Sequence, residues 1–210
     1  MANKKNHIAQ RKTPVQSRSE ETVNVILQAA AQVLTIHGVD GYNTNRIAER
    51  AGVSIGTLYQ YFPNKDSIMA ALIKLDSQKL YTRLKEVMES NGDRNQKVYA
   101  LIAVAVSHQF ETPRLGVILD NQQEKLPLDK ENEDFRAKIA RLVGALVAEF
   151  DITESDIPDV SRDLVNIVRG MVDDESRQKS FDQEAVEMRA GLAAMAYLKS
   201  SANKQSQPNA

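Results

Sequence analysis

A chain of 210 residues, 42% hydrophobic and 26% charged, has the composition of a globular protein with a sizeable core, and its 27 basic residues nearly balance 28 acids. No run approaches the roughly 18 uninterrupted apolar residues of a membrane span, and residues 1–12 are polar and basic where a secretory signal would be apolar, so a cytoplasmic protein is expected. The absence of cysteine excludes disulfide frameworks, thiolate zinc sites and cysteine nucleophiles together.

Charge is unevenly placed along the chain. Residues 1–65 carry eight Lys or Arg against four acids, and residues 66–210 carry 19 against 24. Lys4, Lys5, Arg11, Lys12 and Arg18 all precede the first acid, Glu20. Polyanion-binding arms show this pattern, and so do plain solvated tails. Residues 1–16 are therefore expected to form a disordered basic arm.

From there nearly every segment has apolar residues three and four apart, and alternating β-branched runs are missing, so an all-α protein of about nine helices is expected. The first stripe is Val23, Ile26, Leu27, Ala30, Val33, Leu34 and His37, with Ser17 and Glu20 as a capping box and Gly38 as a left-handed end. Two short helices follow, Thr44–Ala51 and Ser54–Tyr61, each opening on a hydroxyl residue able to cap it. A long helix starts near Asp66 and stops at Asn91-Gly92. Further helices are predicted from Asn95 to Glu111, stopped by Pro113, and from Leu115 to Lys125, stopped by Pro127. Phe135 to Phe150, Ile157 to Gln178 and Phe181 to Lys199 complete the set, the last with Ser180 and Gln183 as a capping box. Residues 17–65 and 66–199 are predicted as two domains, followed by a disordered polar tail over residues 200–210.

The segment Thr44–Phe62, TNRIAERAGVSIGTLYQYF, carries the chemistry. Ile47, Ala48, Ala51, Val53 and Leu58 fall where two steeply crossed helices must touch, and Gly52 suits a tight inter-helix turn. This is a helix-turn-helix pattern, whose second helix can enter the major groove of DNA. Thr57, Tyr59, Gln60 and Tyr61 are expected to project from that helix: hydroxyls donate to phosphate, amides such as Gln60 and Asn45 can read an adenine edge, and Thr57 can meet a thymine methyl. Lys65 can hold a further phosphate. The same spacing would also serve an ordinary helical corner with Tyr59 and Tyr61 packed against the first helix.

The run GVSIGTLYQYFPNKDSI (Gly52 to Ile68), preceded by TNRIAERA and by a helix ending in His37-Gly38, resembles the DNA-binding domain of the tetracycline-repressor (TetR/AcrR) family over roughly residues 18–75. The resemblance implies a homodimeric transcription regulator, usually a repressor, whose C-terminal helices hold a small-molecule pocket and a dimer-forming helix pair. Effector binding would alter the separation of the two DNA-reading heads. By the same resemblance, Thr44, Tyr59, Tyr61 and Lys65 match phosphate contacts, and Asn45, Ile55, Gly56, Thr57 and Gln60 match positions from which bases are reached. Asn45 stands where some members have Arg, and Ile55 where some have a polar residue, which leaves the operator sequence open.

A single recognition helix meets one face of the major groove, so useful affinity calls for two heads about one turn of DNA apart, or a multiple of it. The last two helices suit a dimer: Leu164, Ile167, Val168 and Met171 lie on an apolar stripe, and Gly191 and Met195 on the following helix. These stripes would equally serve the chain's own core. The resemblance puts an effector site among helices from about Lys97 to Phe150, with Tyr99, His108, Phe110 and Met171 as candidate lining.

An enzyme is not expected. The three histidines are isolated, Asp173, Asp174 and Glu175 diverge around one helix, and neither a nucleophile with an adjacent base nor a glycine-rich phosphate loop occurs. No metal or cofactor is implied. The partners expected are duplex DNA with a palindromic operator, a second copy of the chain and an unidentified small molecule, without a membrane. The competing reading is a helical protein-protein interaction module without DNA binding.

Overall fold

The computed structural model describes residues 17–123, 125–126, 130–178, 180 and 182–203. Among them there are nine α-helices, one short 3-10 turn and no strand, the all-α architecture read from the sequence. Residues 1–16 and 204–210, read as arm and tail, lie outside the described residues, as does Phe181. No helix among the described residues is long and apolar enough to cross a membrane.

The chain divides into two compact units. The first comprises residues up to Ser77 together with Arg114–Asp134. In it, α1 (Ser17–His37) packs against α2 (Thr44–Ala51), and α2 against α3 (Ile55–Tyr61). The first part of α4 (Lys65–Glu89) and α6 (Pro113–Gln123) belong to the same unit. Its core is built on the expected stripe of α1 apart from His37, which is exposed, joined by Tyr42, Ile47, Ala48, Leu58, Tyr61, Phe62, Ile68 and Leu119. Pro113, read as a stop, is also the first residue of α6, where a missing N–H costs nothing.

The second unit comprises Gln78–Pro113 and Phe135–Ala210. Here α5 (Arg94–Glu111), α8 (Ile157–Ser176) and α9 (Gln183–Asn203) pack pairwise, and α7 (Lys130–Val147) runs into a 3-10 turn at Ala148–Phe150. The core stripe of α9 is Val186, Ala190, Ala194 and Leu198, four residues apart throughout, each fully buried. Asp93 caps α5 in a reciprocal box with Gln96. The box expected at the start of α9 is replaced: Asp182 Oδ1 accepts from Ala185 N at 3.0 Å, two residues later than Ser180 would require. That helix runs on to Asn203, so residues 200–203 form its last turn.

Candidate nucleic-acid interface

The interface is assembled from two caps and one turn. Asn43, in extended backbone, caps α2 by accepting from Arg46 N at 3.0 Å, so the cap falls one residue before Thr44. Gly52 adopts φ 67° and its N–H closes the end of α2 onto the Ala48 and Glu49 carbonyls, the left-handed conformation that a side chain would strain. Two residues later Ser54 caps α3, its Oγ accepting from Thr57 N at 3.0 Å and sharing a 2.8 Å bond with Thr57 Oγ1. Leu58, Ile47 and Ala48 are buried between α2 and α3, with Ala51 and Val53 packed against them, as the spacing requires.

Around this buried face the candidate contact residues divide. Asn45, Ile55, Gly56, Tyr59, Gln60 and Lys65 are exposed, and Thr44 and Thr57 are half-buried. Tyr59 is 42% exposed, and its phenol oxygen lies 3.1 Å from Thr44 Oγ1, which ties the recognition helix to the start of α2. Gly56 stands open: a Cβ built there would meet only Ser54 Oγ, at an ordinary 3.7 Å. The fold itself therefore has no need of glycine at this position. Tyr61 corrects the expectation that it projects from the helix. It is only 8% exposed and belongs to the core, because it follows Leu58 by three residues and so shares its face; its hydroxyl donates to Ser19 Oγ at 3.5 Å.

Lys65 opens α4, next to a local cap in which Asn64 Oδ1 accepts from Ser67 N at 2.8 Å and Ser67 Oγ donates to the Asn64 carbonyl at 2.7 Å. Two arginines not singled out by the sequence also shape the head. Arg46 Nη1 donates to the Gly41 carbonyl at 3.0 Å and holds the loop before α2, and Arg50 Nε donates to Gln32 Oε1 at 2.6 Å, joining α2 to α1. An arginine three residues after a cap, where an acid would normally answer it, was the available signal. Tyr42, just ahead of the cap, is buried with no hydrogen-bond partner for its hydroxyl among the described residues. Burial first, and the Asp66 charge second, push that phenol far above its ordinary value, so it stays protonated.

The residues assigned to the second unit are also redistributed. Leu164 and Met195 are buried in the chain's own core, and Val168 and Met171 pack against it, with Ile167 half-buried. Gly191 is buried under Tyr99: a Cβ there would stand 2.5 Å from the Tyr99 ring, so its smallness serves the contact between α5 and α9 within one chain. Tyr99 itself is 44% exposed at that contact, which sets it apart from the buried Phe110 and the half-buried His108 and Met171. The apolar surface that the helix pair leaves uncovered is instead Val165, Met188 and Leu192, the last two 60% and 59% exposed. Met188 and Leu192 lie four residues apart and off the core stripe of α9, a large apolar pair that periodicity alone could have flagged.

Two short capped helices joined by a tight turn, with an open outer face on the second helix over a closed apolar face, define a helix-turn-helix DNA-binding head. Residues 26–72 match the family model described as bacterial regulatory proteins, tetR family. An uncharacterized HTH-type transcriptional regulator of Mycobacterium bovis is 30% identical over 162 residues, which cover 66% of this chain and 84% of that protein. The chain belongs to the TetR family of transcription regulators, proteins that bind DNA and are not enzymes. It is also 30% identical over 118 residues to the nucleoid occlusion factor SlmA of Vibrio campbellii, a match spanning 56% of this chain and 58% of that one. Among solved structures, the fatty acid degradation regulator FadR of Bacillus halodurans superposes with a TM-score of 0.70 at 19% identity, covering 82% of this chain and 97% of that chain.

Proposed function

We propose that the protein is a cytoplasmic repressor that binds a palindromic operator as a homodimer and is released by a small-molecule effector. The observation that carries the DNA side of this reading is the open outer face of α3: Tyr59, Gln60, Ile55 and Gly56 are exposed although Leu58 and Tyr61, interleaved with them, are fully committed to the core. Tyr59 and Thr44, already within 3.1 Å of each other, would donate to one phosphate together, with Lys65 as a point charge on another. Gln60 and Asn45 would read base edges. Thr57, with its hydroxyl engaged by Ser54, would offer its methyl to thymine. Tyr61, being buried, would at most reach a phosphate through its oxygen.

The dimer would form on α8 and α9, with Met188, Leu192 and Val165 taking the place first given to Leu164, Gly191 and Met195, since the latter are used inside the chain. An effector would be taken up within the second unit near Phe110, His108 and Met171. Tyr99, set outside at its contact with Gly191, does not join them.

The division between positioning and reading contacts is tested by two substitutions measured by fluorescence anisotropy. Tyr59→Phe should weaken binding to operator and to mixed-sequence duplex alike, by about 1 kcal/mol, the net worth of one hydrogen bond. Gln60→Ala should spare mixed-sequence binding and relax preference at one base pair by about 1 to 3 kcal/mol. Equal losses on both duplexes for both variants would contradict the assignment.

A further inference from the structure

The corner between α4 and α5 belongs to neither face described above, and its chemistry is set by one dipeptide, Asn91-Gly92. Both ends of the corner are pinned. On one side Ser90 closes α4, its N–H and Oγ donating to the Val87 carbonyl at 3.2 and 2.7 Å. On the other, Asp93 opens α5 through its box with Gln96, whose Oε1 accepts from Asp93 N at 3.0 Å. Between these anchors Asn91 and Gly92 are exposed, and among the described residues no hydrogen bond engages the Asn91 side chain or the Gly92 N–H.

No other described asparagine is so placed. Asn43 and Asn64 also lie outside helices, but their Oδ1 atoms are engaged as caps, accepting from Arg46 N at 3.0 Å and from Ser67 N at 2.8 Å. The remaining described asparagines lie within helices, whose fixed φ and ψ keep the following N–H along the axis and away from the side chain. Asn91 is also the one asparagine of the chain followed by glycine. With no Cβ beside it, the Gly92 nitrogen is unshielded, and the backbone can turn toward the amide that precedes it.

We propose that Asn91 is a site of spontaneous deamidation and isomerisation, a covalent modification that the fold leaves open at this corner alone. The Gly92 N–H gives its proton to water or hydroxide, and the nitrogen attacks Asn91 Cγ. The new N–Cγ bond closes a succinimide ring as the Cγ–Nδ2 bond breaks and ammonia leaves. Water then opens the ring at either carbonyl. Opening at the side-chain carbonyl gives aspartate, and opening at the backbone carbonyl gives isoaspartate, whose main chain runs through Cβ and Cγ. Either product adds one negative charge to a chain of formal net charge −1, and isoaspartate also lengthens the backbone two residues before the Asp93 cap.

The full chain and its Asn91→Gln variant are incubated folded at about pH 6 and about pH 8, beside the full chain in denaturant, then digested at mildly acidic pH for peptide mass mapping. Replacing the amide by a carboxylate adds about 1 Da to the peptide that holds residue 91. In the folded chain this gain should be roughly a hundredfold faster at the higher pH, because the deprotonated fraction of a weakly acidic N–H grows about tenfold per unit. It should outpace any gain at Asn43 or Asn64 by more than about tenfold, since their caps hold them. Fragmentation should show isoaspartate together with aspartate. Asn91→Gln should keep the melting temperature and abolish the gain, because the longer side chain closes a ring of this kind far more slowly. No gain at residue 91 in the folded chain, whatever the unfolded chain shows, overturns the proposal, as does gain spread evenly over Asn43, Asn64 and Asn91 or aspartate formed without isoaspartate.

Discussion

At the scale of single residues, Gly56 separates the demands of the fold from those of the ligand. It is an exposed helical glycine whose missing Cβ would find open space apart from Ser54 Oγ at 3.7 Å. Glycine in a helix costs up to about 1 kcal/mol relative to alanine, so retaining it without an internal reason fits close approach by something outside the chain. Gly56→Ala should therefore leave the melting temperature unchanged or raise it, by up to about 1 kcal/mol of stability, while weakening duplex binding. A loss of thermal stability with DNA affinity intact would reverse that assignment. Gly191 is the opposite case: its space is filled by Tyr99 of the same chain, and nothing in its sequence neighbourhood distinguishes a glycine that admits a neighbouring helix from one that would admit a partner.

At the scale of elements, the recognition helix is seven residues long, too short to persist without its cap and its apolar contacts. Ser54 satisfies Thr57 N and also fixes Thr57 Oγ1. Ser54→Ala should cost about 0.5 to 2 kcal/mol of stability by thermal or denaturant unfolding. It should also reduce DNA affinity more than its exposed position would suggest, because it loosens the whole helix.

The corner itself was legible in the sequence, since Ile47, Ala48, Gly52 and Leu58 each have a residue type that the crossing demands. Less legible were features decided by a single residue of phase. Asn43 outcompeted Thr44 as a cap because its amide oxygen reaches Arg46 N. Tyr61 went inward because three residues past Leu58 returns to the same face. Pro113 proved compatible with a start as well as a stop, since proline forbids only what precedes it.

At the scale of the whole molecule, both units have the wide apolar stripes that made the all-α architecture readable, but a stripe does not say whether its partner lies in the same chain. Leu164 and Met195 were taken up internally, and Met188 and Leu192 were left uncovered. A burial pattern of that kind depends on which helices meet, a tertiary fact that periodicity does not contain.

The central claim is that α3 enters duplex DNA and that two copies of the chain do so together. Hydroxyl-radical footprinting of the full chain on the DNA upstream of its own coding region tests it most directly. Two protected patches on one face of the duplex should appear, about 34 Å or a multiple of that apart. Protection that never appears even at low salt, or a single patch occupied by one copy, would contradict it.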